Sequence, residues 1–256
     1  MNKLSLTGTV YVASDIHLGP AIPRTNQAFY EFLEMAADRA DSLILAGDIF
    51  NYWIGDDIAI RHPESWLAEA LSHLQRFAAQ KPLYLIRGNR DFLIGHDLAK
   101  QLGAQLLADQ IILTVDRQRI YLSHGDELCT DDKGFMLFRA WTRQAWLQQL
   151  FFKLPITWRI AIANQARKKS KSKQAAPDYR HAKGDVTHAA VTQIFEQHPE
   201  LNGMIHGHTH KPQQHCLEVN GKAYWRLVLP DWELDQSNPR QGYAILNKNG
   251  VQLIND

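Results

Sequence analysis

Only two cysteines occur in the 256 residues, Cys129 and Cys216, and they form no Cys-x-x-Cys pair. A disulfide framework is therefore not expected, and the chain reads as made for a reducing compartment. Apolar runs are short as well. No uncharged stretch reaches the ~18 residues that span a bilayer. Met1 to Gly8 is polar and lacks the apolar segment of a secretory signal. A cytoplasmic protein is expected, free to lie on a membrane surface. Excess charge is lacking too: 28 Lys and Arg face 27 Asp and Glu, a formal charge of +1. This gives no global attraction to nucleic acid. There are no internal repeats and no long linker; the loosest segment is Lys168 to Pro177.

What is present is an alternation of strands and helices. Thr9 to Ala13, Asp41 to Ala46 and Leu83 to Arg87 are apolar, β-rich runs. Between them, Gln27 to Ala40 and Ser65 to Ala79 carry apolar residues at helical spacing, and Leu93 to Gly103 predicts a shorter helix. Such alternation predicts βαβ crossovers with loops gathered on one side of a sheet. Further on, Gln110 to Val115 and Gln118 to Leu122 read as strands joined at Asp116-Arg117. Met204 and Ile205 form a short apolar run. Two hairpins are expected about Asn220-Gly221 and Asn249-Gly250. The C-terminal part is expected to be antiparallel. From Asp131 to about Lys183 the pattern turns helical and rich in Trp, Phe, Arg and Lys, which predicts an inserted cap. The expected division is a core of residues 1–130 and 184–256 with a cap at 131–183.

Five predicted strand ends carry side chains able to bind a metal: Asp15 and His17; Asp48; Asn89; His124; His208 and His210. Asp48, after the apolar run Leu43 to Ala46 and Gly47, needs a partner, because a bare buried charge is too costly. An Arg or a metal could serve, and the four other ends favour metal. Carboxylate, amide and imidazole together suit Mn, Fe or Zn better than Ca. Each piece has a plainer reading: Asp-x-His as a capped turn, Asn89 as a turn residue, His124 as a core histidine. Five such ends behind five apolar runs argue against coincidence. A carboxylate shared by two ions ~3.5–4 Å apart is the geometry that clamps a phosphoryl displacement.

Asp15-x-His17, Gly47-Asp48, Gly88-Asn89-x-Asp91, His124 and Gly207-His208-x-His210 resemble the calcineurin-like metallophosphoesterases over nearly the whole chain. The resemblance implies an α/β fold, an αββα sandwich of two mixed sheets flanked by helices. It implies one ion on Asp15, His17, Asp48 and His210 and a second on Asp48, Asn89, His124 and His208. Water activated at the metals would attack phosphorus in line. Where many relatives have a His after the motif Asn, this chain has Arg90. A guanidinium does not release its proton near neutral pH, but it binds phosphate with a planar fork. That suits a pyrophosphate, whose leaving group needs little protonation.

Trp53-Ile54-Gly55-Asp56-Asp57, Arg87 to Leu93, and His124-Gly125-Asp126 with Leu128 to Asp132 resemble the pyrophosphate-cleaving branch of lipid A biosynthesis. This implies UDP-2,3-diacylglucosamine as substrate, attack at the α-phosphate, and UMP and 2,3-diacylglucosamine 1-phosphate as products. It also implies two Mn²⁺ per chain and a peripheral, monomeric protein on the cytoplasmic face of the bacterial inner membrane, with no nucleic-acid partner. Asp48, Asn89, Arg90 and His208 would carry the chemistry. Asn89, Arg90, Asp132, Ser170, Gln174, Arg180 and His208 would touch substrate. Gln174 stands where the branch has Asn, and Arg180 and Lys183 are both candidates for a basic contact. Asp91 is expected to orient His124 from behind, and His206 either to support the metal His pair or to pack.

Phe135, Leu137, Phe138, Trp141, Trp146, Leu147, Leu150, Phe151, Phe152, Leu154, Ile156, Trp158 and Ile160 give the cap more apolar surface than short helices need, with Arg139, Arg143, Lys153 and Arg159 interleaved. Such a pattern suits an interface with lipid; the alternative is that these residues pack the cap onto the sheet. Arg167 to Lys173 follows as a basic run, a solvated face by itself and a headgroup contact beside such a cap. A soluble nucleotide phosphodiesterase or phosphatase of the same superfamily is the competing function. A nuclease using Lys168 to Lys173 is less consistent with the neutral charge. Residues 1–8 and Leu229-Pro230-Asp231-Trp232 are given no role.

Overall fold

Alternation along one strand, β3 (Ser42–Ala46), sets the architecture. Successive side chains of a strand point to opposite faces. Leu43 and Leu45 pack against helices on one side, while Ile44 and Ala46 pack against a second sheet on the other. All five residues are buried, so the strand reads as one continuous apolar run. The structure, a computed structural model, describes residues 1–61, 63–174 and 185–255.

The first sheet has the order β12-β11-β2-β3-β4-β5. Here β2 is Val10–Ala13, β4 Leu83–Ile86, β5 Gln105–Leu106, β11 Gly242–Asn247 and β12 Gly250–Asn255. Its β2-β3-β4-β5 stretch is parallel, as the crossovers require, and β11 joins β2 antiparallel. Helices α1 (Pro23–Arg39), α3 (Ser65–Ala78) and α4 (His96–Leu102) cover its outer face, with α2 (Asp56–Arg61) beside α4. Phe29, Leu33, Leu71, Leu74 and Leu98 fill that layer.

The second sheet has the order β1-β6-β7-β8-β10-β9. Its strands are β1 (Asn2–Leu6), β6 (Gln110–Val115), β7 (Gln118–Ser123), β8 (Gly203–His206), β9 (Gln213–Val219) and β10 (Lys222–Val228). Ile111, Leu113, Ile120, Leu122, Ile205 and Leu227 face the first sheet; Ile112, Tyr121, Met204 and Tyr224 face helix α8 (His188–Gln197). Helix, sheet, sheet, helix is the αββα sandwich expected.

Among the described strands and α-helices, four had no forecast. Residues 2–6 form β1, which pairs parallel with β6 and lays Leu4 and Leu6 on the inter-sheet core. The others are α2, the two-residue β5, and α8, whose N-cap Thr187 accepts from the Ala190 N–H. The C-terminal strands are not all antiparallel, since β8 pairs parallel with both β7 and β10. Helix α4 starts at His96 rather than Leu93, because Leu93 and Ile94 are spent in the core and Asp56 accepts from the Gly95 and Leu98 N–H groups.

Three further helices, α5 (Lys133–Thr142), α6 (Ala145–Phe152) and α7 (Ile156–Gln174), follow β7. No residue of α5 or α6 is fully buried. Leu137, Phe138, Trp141, Trp146, Leu150, Phe152, Ile156, Trp158 and Ile160 are exposed, Trp158 by 64%. Packing onto the sheet therefore does not account for these nine, although Phe151 does join the core. Arg159, 2% exposed, anchors α7: it grips Asp57 through both oxygens and donates to the Ile54 carbonyl at 2.8 Å.

Candidate active site

The expected donor residues lie just past the C-terminal ends of five strands, three in one sheet and two in the other. After β2 and β3 the chain stays zipped: Asp15 N–H donates to the Gly47 carbonyl, His17 N–H to Asp48, and Leu18 N–H to Ile49. This brings Asp15, His17 and Asp48 together. Gly47, at φ 91°, permits the crowding, because a Cβ there would lie 2.7 Å from both Gly88 Cα and His124 Nδ1. At Gly88 a side chain would collide with the Asp48 carboxylate itself.

The Asp48 carboxylate lies between two groups. One oxygen is 3.4 Å from His17 Nε2 and the other 3.6 Å from His124 Nε2. His124 Nε2 is 3.0 Å from Asn89 Oδ1. On the other flank, Asp15 Oδ1 lies 3.3 Å from His210 Nε2. His208 stands edge-on to His124 at 5.2 Å between ring centroids. Arg90 closes one side, with its backbone N–H on Asp48 Oδ1 at 2.8 Å and its Nε 3.4 Å from Oδ2. Among the described residues, two groups of three donors have ligand atoms within 4.8 Å of one another: Asp15, His17, His210 and Asp15, Asp48, His124.

Strain and charge both concentrate here. Asp15, His17, Asp48, His208 and His210 all have φ between 53° and 66°, a left-handed conformation that costs residues other than glycine. Asp15 Oδ1 and His17 Nε2 are buried without a hydrogen-bond partner. Two buried carboxylates with an orphaned oxygen and an orphaned imidazole nitrogen are a donor set that fits divalent cations. Burial works against the Asp48 carboxylate, but His124, His17 and Arg90 hold its pKa well below the ordinary range. Burial also opposes charge on His124 and His210. The facing carboxylates outweigh it and raise them to about 9 and about 10. These carboxylates demand positive charge where the rings stand, a demand that divalent cations meet with neutral imidazoles as ligands.

Supporting groups differ from those expected. Asp91 does not orient His124. Its carboxylate accepts from the N–H groups of Gly88, Asp48, Ile49 and Phe50 and so ties two site loops together. His124 Nδ1 instead meets the Ala46 carbonyl at 3.0 Å. His206 is packed away, with Nδ1 on the Gly207 carbonyl and Nε2 on Arg226. Asp231, given no role from sequence, lies 3.0 Å from His210 Nδ1 and is held by a bidentate Arg240. No local signal marks it, because its partner lies twenty-one residues away, on the far side of the β9–β10 hairpin. Asp132 is the N-cap of α5, accepting from Phe135 N–H at 3.0 Å. Ser170 and Gln174 fall in the last turns of α7, where their side chains are outside the described residues, as are Arg180 and Lys183 altogether.

The calcineurin-like phosphoesterase family model matches residues 8–212. A UDP-2,3-diacylglucosamine hydrolase from Bordetella pertussis is 46% identical over 99% of this chain and 97% of its own. One of the same name from Aeromonas hydrophila is 43% identical over 94% and 95%. Among solved structures, a dimetal phosphatase from Danio rerio, 14% identical, aligns with a TM-score of 0.50 over 96% of this chain and 98% of that one. That last likeness shows the fold alone.

Proposed function

The chain belongs to the calcineurin-like phosphoesterase family, and from that premise we propose that it hydrolyses the pyrophosphate bond of UDP-2,3-diacylglucosamine, releasing UMP and 2,3-diacylglucosamine 1-phosphate. The substrate comes from the relatives' names, over nearly the full length of both chains. The observation that carries the reading on this chain is the meeting of Arg90 with the buried carboxylate–imidazole cluster, beside a cap that leaves ten large apolar side chains exposed among the described residues.

Two Mn²⁺ ions are proposed, one held by Asp15, His17, Asp48 and His210, the other by Asp48, Asn89, His124 and His208. When bound, they supply a water that ionises near neutral pH and counter the charge on the phosphoryl oxygens. The residues do the rest. Asp48 carries the charge shared between the two halves. Arg90, partly exposed and steadied by Asn51 at 3.0 Å, presents its fork to the pyrophosphate. Asn89 and His208 line the same side and fix the α-phosphate. No proton donor is needed for the leaving group, because a phosphate monoester departs as a stable anion. Asp132, and Ser170, Gln174 and Arg180 beyond it, are proposed to meet the sugar and phosphate.

The exposed Leu137, Phe138, Trp141, Trp146 and Trp158 suit acyl chains and the membrane that holds them. Among the described residues no helix is long and apolar enough to cross a membrane. A peripheral position on the inner membrane's cytoplasmic face is part of the proposal, with residues 131–183 as the lipid-facing cap. The test is to incubate purified protein and Mn²⁺ in mixed micelles with UDP-2,3-diacylglucosamine, UDP-glucose or a nitrophenyl phosphodiester. UMP is expected from the lipid substrate. Comparable release from UDP-glucose would favour a soluble nucleotide phosphodiesterase instead.

A further inference from the structure

Helix α5 touches the candidate site at every fourth residue. Phe135 stacks on His208 with ring centroids 5.9 Å apart. One turn on, Arg139 Nε donates to Asp126 Oδ2 at 2.6 Å, two residues after His124. One turn further, at the C-cap, Arg143 donates to the Gly88 carbonyl at 3.0 Å, next to Asn89, and to Asp109 Oδ2 at 2.6 Å. Its guanidinium also lies 5.6 Å from the Phe92 ring centre. Residues four apart share one helix face. A single stripe therefore reaches His208, the His124 loop and the Asn89 loop.

The other half of the cluster is braced from elsewhere. His210 leans on Asp231 and Arg240, and His17 Nδ1 meets the Asp15 carbonyl at 2.8 Å. These contacts belong to the strand-end loops and to the 231–240 segment, not to the cap.

We propose that α5 is a strut for one half of the metal site: Phe135, Arg139 and Arg143 are positioning residues that hold His208, His124 and Asn89 in place, so uptake of the second cation depends on how the cap helix is seated and uptake of the first does not. The proposal rests on the two-cation reading above. Its physical basis is that outer partners fix the orientation of the ligands, and losing one typically weakens a metal site 10–100-fold.

The test is a Mn²⁺ titration of the cation-stripped full chain by calorimetry, with electron paramagnetic resonance to separate a spin-coupled pair from an isolated ion. The wild type should show two binding steps and a coupled pair. Arg143→Met keeps an unbranched apolar side chain and removes both donors, together with the guanidinium over Phe92. It should weaken one step by about tenfold, leave the other within about twofold, and convert the stoichiometric sample to an isolated-ion spectrum. Arg240→Met should weaken the other step. Adding Asn89→Ala to Arg143→Met should cost less than the sum of the two, since both act on one half-site. Asp109→Asn removes the carboxylate charge that faces Arg143 and Arg87 and should weaken the same step by about threefold. It carries the test if Arg143→Met does not fold. The strut is overturned if Arg143→Met weakens both steps equally or neither, or if it and Arg240→Met weaken the same one. A wild-type chain binding fewer than two Mn²⁺ overturns the two-cation reading, and the strut with it, before any variant is compared.

Discussion

Asp48 and Arg90 illustrate how single residues divide the work. Asp48 is 1% exposed on a left-handed backbone, a conformation costing about 1–3 kcal/mol that only its surroundings can sustain. Arg90 stands at the rim beside it, with 31% of its side chain exposed. Under the proposed function the first shares charge between cations and the second meets substrate. A guanidinium offers two parallel donors where an ammonium offers a point charge. Arg90→Lys should therefore lower kcat/KM on UDP-2,3-diacylglucosamine by roughly tenfold, and Arg90→Ala by roughly a hundredfold, corresponding to about 1.4 and 2.7 kcal/mol. Full activity in Arg90→Lys would show that charge alone matters there. Mn²⁺ affinity, measured in parallel, should change little, since the proposed ligand set excludes Arg90.

At the scale of elements, the cap helices have two faces. One stripe of α5 meets the site; the other residues, with those of α6 and the start of α7, leave Leu137, Trp141, Trp146 and Trp158 in water. The pair Asp57–Arg159 pins α7 to the core, so this surface is held in place without being covered. Half of a tryptophan's 150–250 Å², at ~25 cal/mol per Å², is worth about 2 kcal/mol when withdrawn from water. Changing both Trp141 and Trp146 to Ser should thus reduce partitioning onto anionic lipid vesicles by roughly three orders of magnitude. The melting temperature should hold to within the effect of ~0.5 kcal/mol usual for surface changes. Unchanged vesicle sedimentation with a lowered melting temperature would return these rings to a packing role.

Across the whole molecule, β2, β3 and β4 deliver Asp15, His17, Asp48, Asn89 and Arg90 from one sheet, and β7 and β8 deliver His124, His208 and His210 from the other. Cations held there would tie the two sheets together. Ligands that bind only the folded state add stability by mass action, about 2.7 kcal/mol at a hundredfold excess over Kd. Removing divalent cations with a chelator should therefore lower the melting temperature by about 5–10 °C in a single transition, and restoring Mn²⁺ should reverse this. Asp48→Asn should melt at one temperature with or without Mn²⁺. A Mn²⁺-dependent shift surviving in Asp48→Asn would remove this residue from its shared position.

The sequence by itself determined the alternation of strands and helices and a candidate donor after each apolar run, and the family resemblance those residues carry implied the two-sheet sandwich. Apolar runs with period-2 or helical spacing identify strands and helices locally, and a polar donor after such a run is visible without knowing its neighbours. It also showed that Arg90 cannot act as an acid, a matter of side-chain chemistry alone. Only the tertiary structure decided what supports the donors. Asp231 reaches His210 past the β9–β10 hairpin, Arg143 reaches Gly88 across fifty-five residues, and Asp91 gathers the N–H groups of a loop from another strand. The edge strand Asn2–Leu6 is likewise defined by its pairing with Gln110–Val115, and the cap's exposed face by what does not pack against it. Each of these depends on a partner remote in the chain, and no local pattern of residues encodes a distance.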